Sequence, residues 1–525
     1  MIRWRELKAV WRVGMLTPRL TWGWAGLILE LGLLRWCGQF PGWAVGQVAL
    51  VVLLLANVVW QFRQVAQSYR ATPFFQRGWR VGLAWSGLLV SLVGLALPWG
   101  LWGLGSRFLV RLKLPAAWVN DISLYRHPLL GAVAVVYLVL VAYSLIWGPQ
   151  HWRLTTVIGT PRQMLQGLGW LAGLMLSWGM MSGALVVGNW AVDQWLSPSG
   201  ATAFALGSLS LILAGYTMAS LLGTVTLIWC WCGQPAVAVP RMQRSRWSLG
   251  GLVLVWVVIS GAVIVQAWQM PRFLATTVIS HRGLDAGVGV QNTLGALRHT
   301  KRLHPQYVEM DLHETRDHRW VVLHDENLKT LAHRNVTPHQ LTQAQLSGLT
   351  LRENGQRGRL VSWPKYLKTA ERLHQPLLVE LKTTPTDSRG MVRRFAHLYG
   401  ARLRRDHSAV HSLDYRVVAQ LRRVAPRLRV GFITPFNWVD PASVPADFYS
   451  FQQRSLSDQF ILAAHRQGAA TYLWTPDATT AMSRAWALGV DGQITDQAGR
   501  LQRVVAQRPN RVFWAIVANF TLSYI

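Results

Sequence analysis

The stretch Thr276-Thr277-Val278-Ile279-Ser280-His281-Arg282-Gly283 places a histidine, an arginine and a glycine directly after a short β-branched, apolar run. The arrangement returns at Glu309-Met310-Asp311, at His324-Asp325 and at Glu380-Leu381-Lys382, each at the end of a later apolar run. In a parallel α/β barrel the carboxyl ends of the strands converge on one mouth, where such barrels carry out chemistry. The pattern therefore predicts a barrel whose reactive residues come from strand ends.

Short β-rich runs alternate with amphipathic stretches throughout the part of the chain after residue 275. The predicted strands are 276–281, 306–311, 320–324, 377–382, 408–413, 429–433, 447–451, 470–475 and 490–494. The predicted helices between them include 293–303, 364–373, 390–404 and 414–424. Alternation of this kind is typical of βα units and a parallel sheet. The run 320–324 follows 306–313 too closely for a helical crossover, so these two are expected to form a hairpin. Without that extra strand eight remain, the number of a TIM barrel.

Three carboxylates lie at two of the predicted strand ends. Glu309 and Asp311 are two residues apart on one strand, so their side chains point to the same side of the sheet. With Glu380 they would form an all-oxygen pocket suited to a hard divalent cation, Ca²⁺ or Mg²⁺.

Two imidazoles and two cationic side chains share the same predicted mouth. His281 and His324 are the candidates for general acid and general base. Arg282 and Lys382 supply positive charge for an anionic substrate, most simply a phosphate. Together with a metal pocket, these residues predict metal-assisted cleavage of a phosphoester.

The composition divides the chain into two unlike parts. The 525 residues carry a formal charge of +30 and 29 Trp, with a mean hydropathy of +0.21. Only Glu6, Glu30, Asp121 and Asp193 precede residue 271. We therefore predict a multispan transmembrane domain over 1–270, a barrel domain over 275–507 and an apolar C-terminal tail over 508–525. All three cysteines precede residue 233, which excludes a disulfide framework for the barrel.

About seven apolar stretches of bilayer-spanning length lie in the first part. They are 20–40, 43–62, 81–104, 129–148, 166–190, 203–232 and 248–268. Lys and Arg concentrate in the N-terminal tail and in loops 63–80, 149–165 and 233–247, which seven spans place together in the cytoplasm. The barrel would then lie outside the cytoplasm, at the surface of a multi-pass, integral plasma-membrane protein. Loop 105–128 is the contrary signal, because its four bases would also lie outside. Either this loop is an amphipathic interfacial segment, or the number of spans differs by one, which would put the barrel in the cytoplasm.

The order of the motifs resembles the glycerophosphodiester phosphodiesterases, in particular their membrane-anchored bacterial branch. The matching motifs are His281-Arg282-Gly283, Gln291-Asn292-Thr293, Glu309-Met310-Asp311, Thr315-Arg316-Asp317, Val322-Leu323-His324-Asp325, Val379-Glu380-Leu381-Lys382, Tyr472-Leu473-Trp474-Thr475, Gly489-Val490-Asp491-Gly492 and Ile494-Thr495-Asp496. Their order runs from about residue 278 to residue 497. One departure is Gln291, where many members carry Glu, which puts in doubt any ligand role for that position.

The resemblance implies a TIM barrel that hydrolyses glycerophosphodiesters to glycerol 3-phosphate and an alcohol. It implies Glu309, Asp311 and Glu380 as ligands of a divalent cation, and His281 and His324 as the acid/base pair. It further implies Arg282 and Lys382 as phosphate contacts and Trp474 on the glycerol side of the pocket. In related enzymes the glycerol 2-hydroxyl is thought to attack phosphorus, and water then opens the cyclic phosphate.

Two alternative functions remain open at this point. One is a phospholipase-like cleavage of intact lipids, since the barrel would be tethered beside the bilayer. The other is a non-catalytic protein that binds or transports lipid headgroups. The expected partners are a glycerophosphodiester or a related anionic phospholipid or polymer, and the lipid bilayer. Nucleic acid is not expected, because the arginine runs 393–394, 402–405 and 422–423 contain no aromatic residue and the barrel is expected outside the cytoplasm. Among the other histidines, only His411, at a predicted strand end, is a candidate for the pocket lining. Most of the rest, a set to which His313 belongs, are expected at the surface or in loops.

Overall fold

The computed structural model describes residues 114–146, 161–196, 198–232, 276–435, 440–507 and 513–522, with short segments between residues 22 and 60 and between residues 250 and 262. Two compact units are present. One consists of Leu112–Arg126 and Met270–Val512, and the other of Met1–Arg111, His127–Gln269 and Phe513–Ile525.

The first unit is built around a parallel sheet. Its strands are β1 (Thr277–Ser280), β2 (Tyr307–Glu314), β3 (Trp320–Val322), β4 (Thr350–Glu353), β5 (Gln356–Arg359), β6 (Val361–Ser362), β7 (Leu377–Leu381), β8 (Ala409–Ser412), β9 (Arg429–Thr434), β10 (Phe448–Gln452), β11 (Ala470–Trp474) and β12 (Gly492–Thr495).

Eight of these strands close into a barrel. β1 pairs in parallel with both β12 and β2, which completes the ring β1-β2-β7-β8-β9-β10-β11-β12. β3 pairs antiparallel with β2, outside the ring, and β6 pairs antiparallel with β3. The predicted eight-stranded barrel and its extra hairpin strand are thus confirmed.

A separate hairpin formed by β4 and β5 was not expected from the sequence. β5 reads Gln356-Arg357-Gly358-Arg359 and is largely exposed, so no apolar run marks it. Backbone pairing alone defines this hairpin, which brings Glu353 within hydrogen-bond distance of Gln291.

Helices follow the barrel strands, as expected for βα units. Their bounds are Leu294–Lys301, Lys329–Ala332, Gln343–Leu346, Trp363–Arg372, Met391–Arg405, Tyr415–Val424, Asp458–Arg466, Thr479–Ala487 and Ala498–Gln507. The helix Trp363–Arg372 shows why they form: Pro364 occupies its first turn, and Tyr366, Leu367 and Ala370 form one buried face. The four predicted helices agree with the observed ones to within two residues at each end.

Large side chains fill the interior of the barrel. Ile279, Leu378, Phe448, Tyr472 and Ile494 form one buried cluster. Phe448 packs so closely over the backbone of the neighbouring strand that a Cβ on Gly431 would lie 2.1 Å from its Cε2 atom. The barrel is therefore a packed core, and the space for a substrate lies at its mouth.

The helix Ala116–Leu124 belongs to the barrel unit although it precedes the barrel by some 150 residues. The Leu114 amide donates to the Ser443 hydroxyl at 3.1 Å, and the Tyr415 amide donates to Asn120 Oδ1 at 2.7 Å. Asn120 is buried by this packing. Part of loop 105–128 is thus fixed to the outside of the barrel.

The second unit is helical. Its long helices are Arg126–Ile146, Pro161–Trp195 and Pro198–Cys232, and Phe513–Leu522 packs with the last two. Val517 and Phe520 are buried with Trp178, Ile212 and Tyr216, among others. The Trp514 amide also donates to Asp193 Oδ2 at 3.3 Å. The expected apolar tail 508–525 therefore contributes a packed helix; its residues 508–512 and 523–525 lie outside the described part.

One described helix, Leu165–Asp193, is long and apolar enough to cross a bilayer. A bent pair, Ala116–Leu124 and Arg126–Leu140, would be a second at most. Predicted span 81–104 lies wholly outside the described residues, and spans 20–40, 43–62 and 248–268 are described only in part. The transmembrane domain of about seven helices therefore stays a prediction.

Candidate active site

The carboxyl ends of the barrel strands bring the predicted residues to one mouth. Parallel pairing places Asp311 beside Glu380, and Glu380 beside His411, in the register of β2, β7 and β8. His281 directly follows β1, and Trp474 ends β11. Because all these strands run the same way, their last residues meet at the same end of the barrel.

Glu309 lies at the centre of the group. It is 3% exposed, and its Oε2 accepts a hydrogen bond of 3.1 Å from the Arg282 amide. That amide is presented by a turn in which Arg282 has φ 51°, a conformation rarely adopted by residues other than glycine. Burial, followed by the charge of Asp311, raises the pKa of Glu309 above its usual range. A buried carboxylate of this kind stabilises a nearby cation.

Asp311 is surrounded by donors. Asn292 Nδ2 donates to its Oδ2 at 2.8 Å, and Lys382 Nζ lies 3.3 Å from its Oδ1. Arg282 Nε is 3.7 Å from Oδ2. Burial by itself raises the pKa of Asp311, but the charges of Lys382 and Arg282 outweigh it and hold the pKa well below its usual range. Asp311 is therefore ionised and anchors both cationic side chains at the mouth.

Lys382 also bonds to the third predicted ligand. Its Nζ donates to Glu380 Oε1 at 3.1 Å. Burial lowers the pKa of Lys382, but the charges of Glu380 and Asp311 outweigh this effect and the net pKa is raised. Lys382 consequently stays charged, as a phosphate-binding group must.

His281 is held by a carboxylate from the last strand-end loop. Its Nδ1 lies 2.8 Å from Asp496 Oδ1, while its Nε2 is directed towards Glu309 Oε2 at 4.0 Å. Burial lowers the pKa of His281, but the hydrogen bond to Asp496 and the negative charge of Glu309 more than compensate, so the net pKa is raised. With Nδ1 engaged by Asp496, Nε2 is left to handle a substrate proton.

His324 has a similar arrangement. Its Nδ1 lies 2.9 Å from Asp325 Oδ1. Burial and the charges of Lys382 and Arg282 lower the pKa of His324, against the opposing charge of Asp311. The environments of the two imidazoles therefore shift their pKa values in opposite directions, as expected for a donor and an acceptor of protons.

His313 supports the backbone of His324. It is buried, its Nε2 lies 3.0 Å from the His324 carbonyl oxygen, and burial lowers its pKa to about 4. The neutral ring donates this hydrogen bond. His313 is therefore an exception to the expectation that most of these histidines lie at the surface or in loops, because the strand β2 continues to Glu314 and buries this side chain.

Gln291, where the family resemblance leads us to expect Glu, has a carboxylate beside it. Its Oε1 accepts from Arg282 Nη1 at 2.7 Å, and its Nε2 and backbone amide both donate to Glu353, at 2.5 and 2.7 Å. Glu353 comes from the β4–β5 hairpin. Glu353 thus brings a negative charge next to Gln291.

Trp474 packs partly buried against the aromatic interior of the barrel. Its Nε1 atom is buried without a hydrogen-bond partner in the described part of the chain. Its position at the end of β11 is compatible with the predicted contact to glycerol, which stays a prediction.

The side chains at the mouth fit a divalent cation. One ligand atom each from Glu309, Glu380 and His411 lie within 4.8 Å of one another. Asp311 Oδ1 is buried beside them without a hydrogen-bond donor among the described residues, although Lys382 faces it. Carboxylate oxygens that crowd together in a buried place are the usual donors for such an ion.

Several residues of the site were not assigned a role from the sequence. Asp325 and Asp496 lie within the quoted motifs, so their positions next to a histidine and at a strand end were visible. Glu353 and His313 gave no such signal. Asp496 is 215 residues from His281, and only the pairing of β1 with β12 brings the two together.

Comparison with known proteins agrees with this geometry. The Glycerophosphoryl diester phosphodiesterase family matches residues 281–500. A Bacillus subtilis protein, YhdW, named as a candidate glycerophosphodiester phosphodiesterase, is 24% identical over 234 residues, which cover 42% of this chain and 93% of that protein. Human lysophospholipase D GDPD1 is 36% identical over 100 residues, which cover 19% of this chain and 31% of the human protein.

Among solved structures, a glycerophosphodiester phosphodiesterase from Parabacteroides distasonis is similar, with 23% identity and a TM-score of 0.40. The match covers 45% of this chain and 99% of that one. The family match includes the reactive residues at the mouth, from His281 through Glu309, Asp311 and Glu380 to Asp496. The barrel of this chain is therefore an enzyme of the glycerophosphoryl diester phosphodiesterase family, a phosphoric diester hydrolase.

Proposed function

We propose that the barrel hydrolyses glycerophosphodiesters to glycerol 3-phosphate and an alcohol, with His281 and His324 as the catalytic acid and base and with a divalent cation. The observation that carries the proposal is the pair of imidazoles whose Nδ1 atoms are each held by a carboxylate beside the carboxylate cluster. Arg282 and Lys382, anchored on Asp311, present positive charge to the phosphate from the same cluster.

Glu309 and Glu380, with Asp311 close by, would hold the cation. When bound, the cation polarises the phosphoryl group and offsets the negative charge that develops on its oxygens. Ca²⁺ and Mg²⁺ are the ions that an all-carboxylate set would favour.

The raised pKa of His281 and the lowered pKa of His324 support the following proton movements. His324 Nε2 takes the proton from the attacking hydroxyl, either water or the 2-hydroxyl of the glycerol moiety. The new P–O bond forms as the bond to the leaving alcohol breaks. His281 Nε2 donates its proton to that alcohol, and Asp496 stabilises the charged ring before the transfer. If a cyclic phosphate forms first, the two imidazoles exchange roles when water opens it.

The direct test is turnover of a panel of glycerophosphodiesters by the purified full-length protein. We expect activity to disappear in excess chelator and to return with added divalent cation. His281→Ala and His324→Ala should each lower kcat by about two to four orders of magnitude. Full activity of a protein shown to be free of metal, or near-parental rates in both variants, would contradict the proposal.

A substrate with a good leaving group separates the two roles. A p-nitrophenyl diester of glycerol phosphate needs little protonation of its leaving group, so His281→Ala should recover most of its activity on it. His324→Ala should not recover, because the nucleophile still has to lose its proton. Equal recovery of both variants would reverse or remove the assignment of donor and acceptor.

A second candidate substrate class is a lysophospholipid. The 100-residue match to a human protein named lysophospholipase D favours it, because the same P–O bond would be cleaved with an acyl chain still attached. Including a lysophospholipid in the panel decides between the two: a kcat/KM higher than that for the deacylated diesters would favour the lipid.

We also propose that a multispan domain tethers the barrel to the plasma membrane, with the barrel outside the cytoplasm. The helix Arg126–Ile146 supports the tether, since Val133, Leu138 and Val139 on it are each about 60% exposed. Apolar surface of this extent is normally covered by lipid or protein.

The packing of helix Ala116–Leu124 on the barrel supports the topology. If residues 114–124, part of loop 105–128, stay with the barrel on one side of a bilayer, an even number of crossings must follow them, and the four predicted crossings between residues 129 and 268 meet that condition. The bases of this loop then oppose the orientation only weakly, because the cytoplasmic loops carry many more. Protease added to intact cells should release a fragment from His281 to Asp496; complete protection until lysis would reverse the orientation.

A further inference from the structure

His411 occupies a place in the carboxylate cluster that the proposed reaction does not use. It lies near the end of β8, is 2% exposed, and has Glu380 as its register partner on β7. Its Nε2 atom is buried and has no hydrogen-bond partner in the described part of the chain. The nearest carboxylate oxygen, Glu309 Oε1, is 3.9 Å away, which is too far for a hydrogen bond.

The other nitrogen of the ring is fixed. His411 Nδ1 lies 3.1 Å from the hydroxyl of Ser450, on β10. If Nδ1 carries the proton and donates it to Ser450, Nε2 has a free lone pair directed at the carboxylates. Histidines that bind metals are commonly oriented in this way, by a hydrogen bond from the nitrogen that does not bind the ion.

The oxygens of Asp311 are less available than this nitrogen. Asn292 donates a hydrogen bond to Asp311 Oδ2, and Arg282 Nε lies 3.7 Å from the same oxygen. Lys382 Nζ lies 3.3 Å from Asp311 Oδ1. His411 Nε2, in contrast, has no hydrogen-bond partner in the described part of the chain and lies 3.9 Å from Glu309 Oε1. The three atoms that are close enough to share one ion thus belong to Glu309, Glu380 and His411.

We propose that His411 is a nitrogen ligand of the catalytic cation, together with Glu309 and Glu380. The inference rests on the metal-dependent hydrolysis proposed above and specifies its ion. Imidazole favours borderline transition metals, whereas Ca²⁺ and Mg²⁺ prefer oxygen donors only. The site therefore selects Mn²⁺, Co²⁺ or Zn²⁺ over Ca²⁺ and Mg²⁺, in contrast to the preference that three carboxylates alone would give.

The test measures metal binding directly, apart from turnover. The full-length protein is purified in detergent, stripped with chelator and titrated calorimetrically with Co²⁺, Mn²⁺, Ca²⁺ and Mg²⁺. In His411→Gln we expect Co²⁺ and Mn²⁺ affinity to fall at least 10- to 100-fold, as for the loss of ligand support in other metal sites, while Ca²⁺ affinity changes little. The visible absorption spectrum of the Co²⁺ form should also change, because one nitrogen donor is lost.

Two further variants make the result specific. Ser450→Ala removes only the hydroxyl that orients the ring and should weaken Co²⁺ binding in the same direction; it carries the test if His411→Gln does not fold. His397→Gln changes an exposed histidine on the helix Met391–Arg405 and serves as the matched control.

The outcomes separate this inference from the proposed function. Unchanged Co²⁺ affinity and spectrum in both His411→Gln and Ser450→Ala would overturn the ligand assignment, even if the enzyme hydrolyses diesters. A parental protein that binds Ca²⁺ more tightly than Co²⁺ would overturn the selectivity. Loss of Co²⁺ binding in the variants, with no diester turnover by the parental protein, would support the ligand and contradict the function instead.

Discussion

Replacing Asp496 by Asn tests whether the enzyme depends on a positioned, protonated His281. Asn keeps the size of Asp496, but it removes the negative charge 2.8 Å from His281 Nδ1. Its amide group can also donate a hydrogen bond to Nδ1, which would favour the ring without a proton on that nitrogen. Both changes disfavour the protonated ring with its Nε2–H available to the leaving alcohol. Since the Asp496 side chain is 37% exposed, its ion pair contributes only ~0–1 kcal/mol to stability, and the variant should fold.

The loss of kcat in Asp496→Asn is limited by what His281 itself contributes to the rate. A general acid contributes about 10²–10⁴ to the rate, so Asp496→Asn cannot cost more than His281→Ala. We expect kcat to fall at least about tenfold, with KM changing less. Asp496 raises the pKa of His281, so its loss lowers that pKa. Because the acid is active when protonated, the alkaline limb of the kcat–pH profile should move to lower pH.

The assay is steady-state kinetics across pH on a single glycerophosphodiester, for Asp496→Asn, His281→Ala and the double variant. If Asp496 acts through His281, adding Asp496→Asn to His281→Ala should cause no further loss. Multiplicative losses in the double variant, or an unshifted alkaline limb in Asp496→Asn, would refute the reasoning.

Three further predictions concern charge and packing elsewhere in the barrel. Gln291→Glu should lower activity because it sets a second carboxylate against Glu353, and adding Glu353→Gln should restore much of it; a double variant worse than either single one would contradict this pairing. Burial raises the pKa of Asp491, but hydrogen bonds from His465 and Thr471 outweigh it and lower the pKa. The ionised Asp491 therefore stabilises the folded state at pH values above its unfolded pKa of about 3.9, and this stabilisation is lost as the pH falls through its lower folded pKa. In thermal melts, Asp491→Asn should therefore lower the free energy of unfolding by about 1–3 kcal/mol at pH 7 and by much less near pH 3. Gly431→Ala should destabilise by at least about 1–3 kcal/mol in denaturant unfolding, since its Cβ would overlap the ring packed on it; an unchanged midpoint would contradict the close approach.

The barrel and the main reactive residues could be predicted because their signals are local. Each strand is a short apolar run, and each reactive residue follows such a run, as His281 follows Val278-Ile279-Ser280. Parallel packing then requires that these ends share one mouth, whatever the side-chain details. The β4–β5 hairpin escaped prediction for the opposite reason: Gln356–Arg359 is polar, and its strand character comes from pairing alone.

The sequence by itself determined which residues stand at the mouth and that carboxylate, imidazole and cationic groups occur there together. Tertiary structure decided which of them touch. Closure of β1 on β12 brings Asp496 to His281, and the register of β7 and β8 sets His411 beside Glu380. The packing of helix Ala116–Leu124 on the barrel and of Phe513–Leu522 among the helices is decided in the same way. These contacts join residues far apart in the chain, and their geometry depends on register and side-chain packing, for which no local pattern of residues carries a signal.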